Sequence, residues 1–316
     1  MSTRGQFDLF GTRAGVGPAP AAAAYADLRT RVPEHVRIGT SSWSFPGWAG
    51  IVYDATYGEP ALARHGLAAY AQHPLLRTVS IDRTYYAPIE AAAFMDYAAA
   101  VPDDFRFLVK AERVLTDPEA ESTTGVRFLD PHYAVDAVIT PAVRGLGEKL
   151  GATVFQFSPR GAGPHGGRIR FASLLADFLL ALPRGPLYAV ELRTPALMTR
   201  AYAATLEEAG AAHCYSVHSS MLPLRQQLER IPATANPMLV VRWMLRSGID
   251  YQEARAQYAP FDRLVEEDAE TRGVIARAAL ECAADEKDVI ICINNKAEGC
   301  APLSAVELAR AIAQTS

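Results

Sequence analysis

From Val36 onward, apolar runs of strand length alternate with longer stretches of helical spacing. The runs predict strands at about Val36–Thr40, Thr78–Asp82, Phe105–Lys110, Thr153–Phe157, Leu187–Arg193, His213–His218, Leu239–Trp243 and Val289–Asn294. Between them, apolar spacing predicts helices over Leu62–His73, Ile89–Ala100, a stretch around Val135–Leu150, Phe171–Leu182, Met198–Ala209 and Asp262–Ala284, with a last helix from Ala305 to Ala313. Strands that alternate with helices predict an α/β fold, and eight strands are enough to close one barrel. A (β/α)8 TIM-type barrel and a doubly wound open sheet both satisfy the pattern. No Gly-x-Gly-x-x-Gly follows the first strand, which counts against the dinucleotide-binding form of the open sheet. The regular pattern occupies residues 35–316 as a single domain. Residues 1–34 differ: Gly5, Gly11, Gly15, Gly17, Pro18, Pro20 and the alanine run Ala21–Ala24 predict a flexible tail.

Composition narrows the picture. With 316 residues, half of them hydrophobic, the chain is long enough to bury a large core. A formal net charge of −4 removes the simplest argument for a nucleic-acid binder, a globally basic chain, and leaves only local basic patches for that role. Cys214, Cys282, Cys292 and Cys300 form neither a C-x-x-C pair nor a zinc-type spacing, so they are expected to be reduced thiols in a cytoplasmic protein. No apolar run reaches the ~20 residues of a spanning helix, which predicts no membrane partner.

The pleat then picks out the chemistry. In Leu187–Arg193, Ala189, Glu191 and Arg193 share one strand face, with the two charges at its C-terminal end, where α/β folds carry their sites. Treating the other strands alike gathers Asp82, Lys110, Glu112, Gln156, Glu191, Arg193, His218, Arg242 and Asn294 at strand ends, with Asn295 following. So many polar residues ending apolar strands point to a shared pocket. Glu191 is expected to act as general acid or base, with Asp82 and His218 as further proton-transfer candidates. Lys110 is either a Schiff-base amine or, with Arg193 and Arg242, part of a site for phosphate or carboxylate. A divalent metal would draw on Asp82, Glu112, Glu191 and His218, whose spacing fits no recognised metal pattern, and the cofactor is left unknown. Trp43, Tyr85 and Tyr86 stand beside these strand ends, where aromatic faces serve to stack on a flat ligand or to pack loops.

In the N-terminal segment, Gln6-Phe7-Asp8-Leu9-Phe10 resembles the Gln-Leu-Ser/Asp-Leu-Phe peptide that docks bacterial replication and repair proteins on the sliding clamp. That resemblance implies a clamp partner, with Gln6 hydrogen-bonding and Leu9 and Phe10 filling an apolar pocket. The alternative is that Phe7, Leu9 and Phe10 pin the segment to the protein's own surface.

Along the barrel region, Ile38-Gly39-Thr40-Ser41-Ser42-Trp43-Ser44-Phe45 with Trp48 and Tyr53, Val79 to Tyr86, Phe105 to Lys110, Phe155-Gln156, Ala189 to Arg193, and Asn294-Asn295 with Glu298-Gly299 resemble the YecE-like family, domain of unknown function 72. The matches run in order from Val36 to the end and imply a TIM-type barrel, while the family's name assigns no activity. Three departures from the family's habit stand out. Ser80 and Asp82 stand where Glu and Asn are usual, Ser42 replaces a glycine, and Met244-Leu245 replaces a frequent His-Gly.

Three functions follow. The first is a hydrolase or lyase acting on a phosphate-bearing substrate, with nucleic acid in DNA maintenance as its narrower form. The second is an enzyme of a small sugar or sugar phosphate. The third is a non-catalytic module that binds a ligand at the mouth and is recruited through its tail.

Overall fold

The computed structural model describes residues 15–120, 125–159, 163–164, 166–246 and 248–315. Its eight strands, β1 (Val36–Thr40), β2 (Leu76–Ile81), β3 (Arg106–Lys110), β4 (Leu150–Gln156), β5 (Tyr188–Glu191), β6 (Ala212–Val217), β7 (Leu239–Trp243) and β8 (Val289–Ile293), form one closed barrel in chain order. All are parallel, and β1 and β8 meet in unbroken register from Val36 opposite Val289 to Thr40 opposite Ile293. Between Ile38 and Gly39 the register of β1 against β2 shifts. A Cβ on Gly39 would lie 1.8 Å from the Thr78 carbonyl oxygen, so only glycine lets the two backbones close at this point. The open-sheet alternative is thereby set aside.

Alternation along each strand divides the core in two. Val79, Phe107, Val190, Tyr215, Val241 and Ile291 point outward and pack beneath the helices. Residues of the other parity, among them Leu108, Val154, Ala189, Cys214, Val240 and Cys292, make a separate cluster that fills the lumen. They are mostly small or β-branched because an eight-stranded barrel leaves an interior only wide enough for side chains. Two residues further along each strand, the same inward face carries Lys110, Gln156, Glu191, Ser216, Arg242 and Asn294. The apolar plug therefore ends in a polar layer at the C-terminal mouth.

The helices differ from expectation in several places. Leu62–His73 is two pieces, Glu59–His65 and Leu67–Tyr70, parted at Gly66, whose lack of a side chain allows a 2.6 Å approach of its Cβ position to the Leu62 carbonyl oxygen. Asp262–Ala284 begins only at Ala269, where Asp268 caps the helix by accepting from the Thr271 N–H at 2.9 Å. Leu224–Arg230 and Tyr251–Tyr258 are helices too short and too polar to carry a clear 3.6-residue period. The last helix is longer than expected, Ala301–Thr315.

Residues 15–34 depart from the expected flexible tail. The Ala19 N–H donates to the Val52 carbonyl at 2.9 Å, Pro20–Tyr25 and Ala26–Arg29 are short helices, and Leu28 and Val32 join the core. The small alanines that resemble linker in composition are what permit this close packing. Gln6, Phe7, Asp8, Leu9 and Phe10 lie outside the described residues. Among the described residues no helix is long and apolar enough to cross a membrane. All four cysteines are buried and free.

Candidate functional site

Arg242 organises the mouth. From the end of β7 it reaches across the lumen, placing Nη1 2.7 Å from Glu191 Oε2 on β5 and Nη2 2.6 Å from Asp82 Oδ2 beyond β2. Asp82 is steadied on its other oxygen by the Ser80 hydroxyl, which donates at 2.5 Å. Arg193, just past β5, folds back onto Glu191 Oε1 through Nε at 2.7 Å and Nη2 at 2.5 Å, and the Ser216 hydroxyl donates to the same oxygen at 3.0 Å. Four of the expected residues, Asp82, Glu191, Arg193 and Arg242, are therefore in direct contact, and period-two alternation is what aims them inward.

The geometry changes the part Glu191 plays. Its side chain is wholly buried, and both oxygens are occupied by guanidinium groups. Burial alone would raise its pKa, yet Arg193 and Arg242 overcome that and hold it down at about 2. A carboxylate held so firmly in its charged form is a poor proton carrier at neutral pH, so it suits the role of a fixed anion that positions Arg193 and Arg242 rather than the acid/base role expected. Burial would also lower Arg242, but Asp82 and Glu191 outweigh it and hold the guanidinium above its usual range. Its Nε is a buried donor with no hydrogen-bond partner among the described residues.

Lys110 stands apart from this network. Its carbonyl accepts from the Thr84 hydroxyl at 2.6 Å, which fixes the strand end, and its ammonium sits 3.5 Å above the centroid of the Tyr85 ring. Among the described residues no carboxylate lies within ion-pair distance of it. The carboxylates nearest in charge, Asp82 and Glu191, are already held by arginines. Desolvation lowers its pKa to about 8, with Arg242 and Arg193 adding to the shift and Asp82 and Glu191 opposing it.

The other expected residues divide. Gln156 is half-buried and registers opposite Glu191. His218 follows β6, and burial followed by Arg193 lowers its pKa to about 4, so it is neutral at pH 7. Its Nδ1 accepts from the Ser220 N–H at 3.1 Å, which assigns the ring proton to Nε2 and leaves Nε2 as the donor of the ring. The Asn294 amide donates to Ser41 Oγ at 2.8 Å and accepts from the Lys296 N–H at 3.0 Å.

Four expected residues serve elsewhere. Asn295 accepts from Trp48 Nε1 and from the Ala301 N–H, tying the last helix to the barrel. Glu112 accepts from the Tyr133 hydroxyl at 2.5 Å. Trp43 is buried edge-on against Tyr97, and Tyr86 is 82% exposed with its ring against Tyr85. Asp82, Glu112, Glu191 and His218 do not converge: among the described residues no three His, Cys, Asp or Glu side chains form a group able to hold a metal.

Residues missed in the sequence are the hydroxyl Ser216 and Lys296, whose ammonium lies 4.4 Å from the Tyr251 ring centroid, while Ser80 stands out there only as a departure from the family, with no sign of its contact with Asp82. Ser216 shares the parity of Cys214 and His218, so alternation alone could have placed it in the polar layer.

Similarity to known proteins agrees with the fold. A DUF72 family protein from Enterococcus faecalis V583 superposes with a TM-score of 0.64 at 19% identity, over 88% of this chain and 95% of that one. A DUF72 family protein from Thermotoga maritima MSB8 gives 0.61 at 21% identity, over 87% and 98%. No functionally curated protein matches. The sequence profile described as protein of unknown function DUF72 matches residues 37–316. With nearly the whole barrel covered by that profile, the chain belongs to the DUF72 family.

Proposed function

We propose that the barrel mouth binds a small substrate carrying a phosphate or carboxylate, and that the protein is an enzyme of the hydrolase or lyase class acting on it. The observation that supports this reading is the charge balance. Three cations, Lys110, Arg193 and Arg242, face two carboxylates, Asp82 and Glu191, and the excess positive charge resides on a lysine that has neither carboxylate within ion-pair distance. An anionic group arriving at the mouth restores neutrality where water is scarce, and charge-assisted hydrogen bonds are strong there. Arg242, Arg193 and Lys110 are 0%, 7% and 8% exposed, a depth that suits one anionic group entering the mouth better than a nucleic-acid backbone lying across the rim.

Calorimetric titration with inorganic phosphate and with glyceraldehyde 3-phosphate tests the reading. Saturable binding is expected, weakened about tenfold or more in Lys110→Met, from the ordinary worth of a hydrogen bond to a charged group. Absence of binding, or equal binding by the variant, overturns it. A separate proposal concerns Gln6–Phe10 as a docking peptide for a bacterial sliding clamp. Deletion of residues 1–12 is expected to abolish binding to that clamp, and unchanged binding removes the proposal.

A further inference from the structure

The mouth holds an amine whose surroundings do more than attract an anion. An ammonium that served only as a counter-ion would sit against a carboxylate, as Arg193 and Arg242 do. Lys110 Nζ instead lies over the face of Tyr85, while Asp82 and Glu191 are held by guanidinium groups. The lysine is thus buried on an inward strand face, anchored at its backbone by Thr84, and without a carboxylate in ion-pair contact among the described residues, Asp82 and Glu191 favouring its charge only from further off. These are the conditions under which a lysine becomes a nucleophile: desolvation and cationic neighbours favour the free amine.

We infer that Lys110 forms a Schiff base with a small aldehyde or ketone that carries a phosphate or carboxylate. This rests on the anion-binding reading above, because that anionic group is what would bring the carbonyl to Nζ. The step balances without a further reagent. Lys110 first loses a proton to solvent, and its lone pair attacks the carbonyl carbon. A C–N bond forms while the C=O π pair moves to oxygen and is protonated. The resulting carbinolamine loses that oxygen as water, leaving a protonated imine between the substrate carbon and Nζ. The imine draws electrons from the neighbouring carbon, the activation that a lyase needs. The depressed basicity of Lys110 agrees with this role, since about half of the amine is free near pH 8. The groups set around it are Tyr85, Asp82, Glu191, Arg193 and Arg242. Arg193 and Arg242 act as positioning residues, and Glu191 holds both in place.

Reductive trapping tests the inference. The full chain is incubated at pH 8 with cyanoborohydride and, in separate arms, glyceraldehyde 3-phosphate, dihydroxyacetone phosphate, pyruvate, and an oligonucleotide containing an abasic site. Intact mass and peptide mapping then locate the adduct. The chain has four lysines, so assignment is simple. Expected is a mass gain of the small probe less one oxygen atom, placed on Lys110 at least about tenfold faster than on an ordinary surface lysine because more of its amine is free. Labelling should be slowed by inorganic phosphate and absent in Lys110→Arg, with circular dichroism confirming that the variant folds. Adducts spread evenly over Lys149, Lys287 and Lys296, or none on Lys110, overturn the inference. If phosphate binding persists in that case, the anion site stands and only the covalent step falls. If phosphate binding is absent too, both fall. Trapping of the abasic oligonucleotide alone overturns the small-molecule substrate assigned here.

Discussion

The two ends of the barrel use the same side chains in opposite ways. At the N-terminal end, Arg37 pairs with Asp288 at 2.6 Å and Arg77 with Asp104 at 2.7 Å, and both arginines also donate to backbone carbonyls, those of Asp104 and Glu34. Two cations meet two carboxylates, and the aspartates keep about half of their side-chain surface in water. At the C-terminal end the network is sunk below the surface, Glu191 sees no solvent, and a third cation is added. A balanced pair with one foot in water loses little solvation, so the lower end acts as a joint. The mouth gives up most of its solvation, Asp82 alone keeping about a third of its side chain exposed, and still ends with unbalanced charge, which is unfavourable for folding alone and favourable for meeting an anion.

Substitution of the arginines is the strongest way to break this contrast. Arg242→Met leaves Asp82 and wholly buried Glu191 without their shared partner and is expected to reduce stability by about 3–5 kcal/mol. Arg77→Met, facing a half-exposed aspartate, should cost about 1 kcal/mol. Chemical denaturation measures both, and equal losses would erase the difference between the two ends.

Acid separates them next. Glu191 has a folded-state pKa of about 2, below its unfolded value near 4.3, so its contribution is present above the unfolded value and lost as pH falls through the folded one. The wild type should lose roughly 3 kcal/mol along that limb from this residue. Glu191→Gln should start less stable at neutral pH and lack the corresponding slope. An unchanged acid limb would show that the mouth is not charged as described.

Lys110 gives the opposite sign. Its folded pKa of about 8 lies below the unfolded value near 10.4, so between the two the unfolded chain binds more protons and stability rises with pH. Lys110→Met should abolish that alkaline rise, gain about 1–3 kcal/mol at pH 7, and lose anion binding. A residue whose removal stabilises the fold while removing binding marks the mouth as a site rather than a joint.

The smallest effect is expected from Tyr85→Leu, which removes a cation–π contact worth about 0.5–2 kcal/mol. The free amine becomes easier to form, so the pH midpoint for labelling of Lys110 should move down by about 0.4–1.5 units, a shift that trapping rates at several pH values would reveal.

Much of this architecture is legible in the residue pattern. Alternation in β3, β5 and β7 puts Lys110, Glu191 and Arg242 on inward faces at strand ends, and parallel strands in a closed barrel bring such ends together. What alternation does not give is partner choice. Nothing in the spacing of Asn295 says that it turns back to receive the Trp48 ring N–H, or that Glu112 meets Tyr133, because those contacts depend on loops whose paths have no period. Spacing misleads on Glu191 for a related reason. A carboxylate beside one arginine can carry protons, but a second guanidinium from a strand 51 residues away removes that freedom. Composition misleads on residues 15–34 because alanine and proline are common in linkers, whereas packing asks only whether a surface accepts small side chains.

The reach of Arg242 across the lumen has a consequence for how the protein comes into being. Asp82 and Arg242 are 160 positions apart, and Lys110 and Glu191 lie between them in the chain. During synthesis the early strands leave the ribosome with Asp82 and Lys110 in place while the guanidinium that joins them to Glu191 is still untranslated. The ion network at the mouth is therefore complete only once β7 has been made, and a chain truncated before Arg242 carries Asp82 and Glu191 without the guanidinium that joins them.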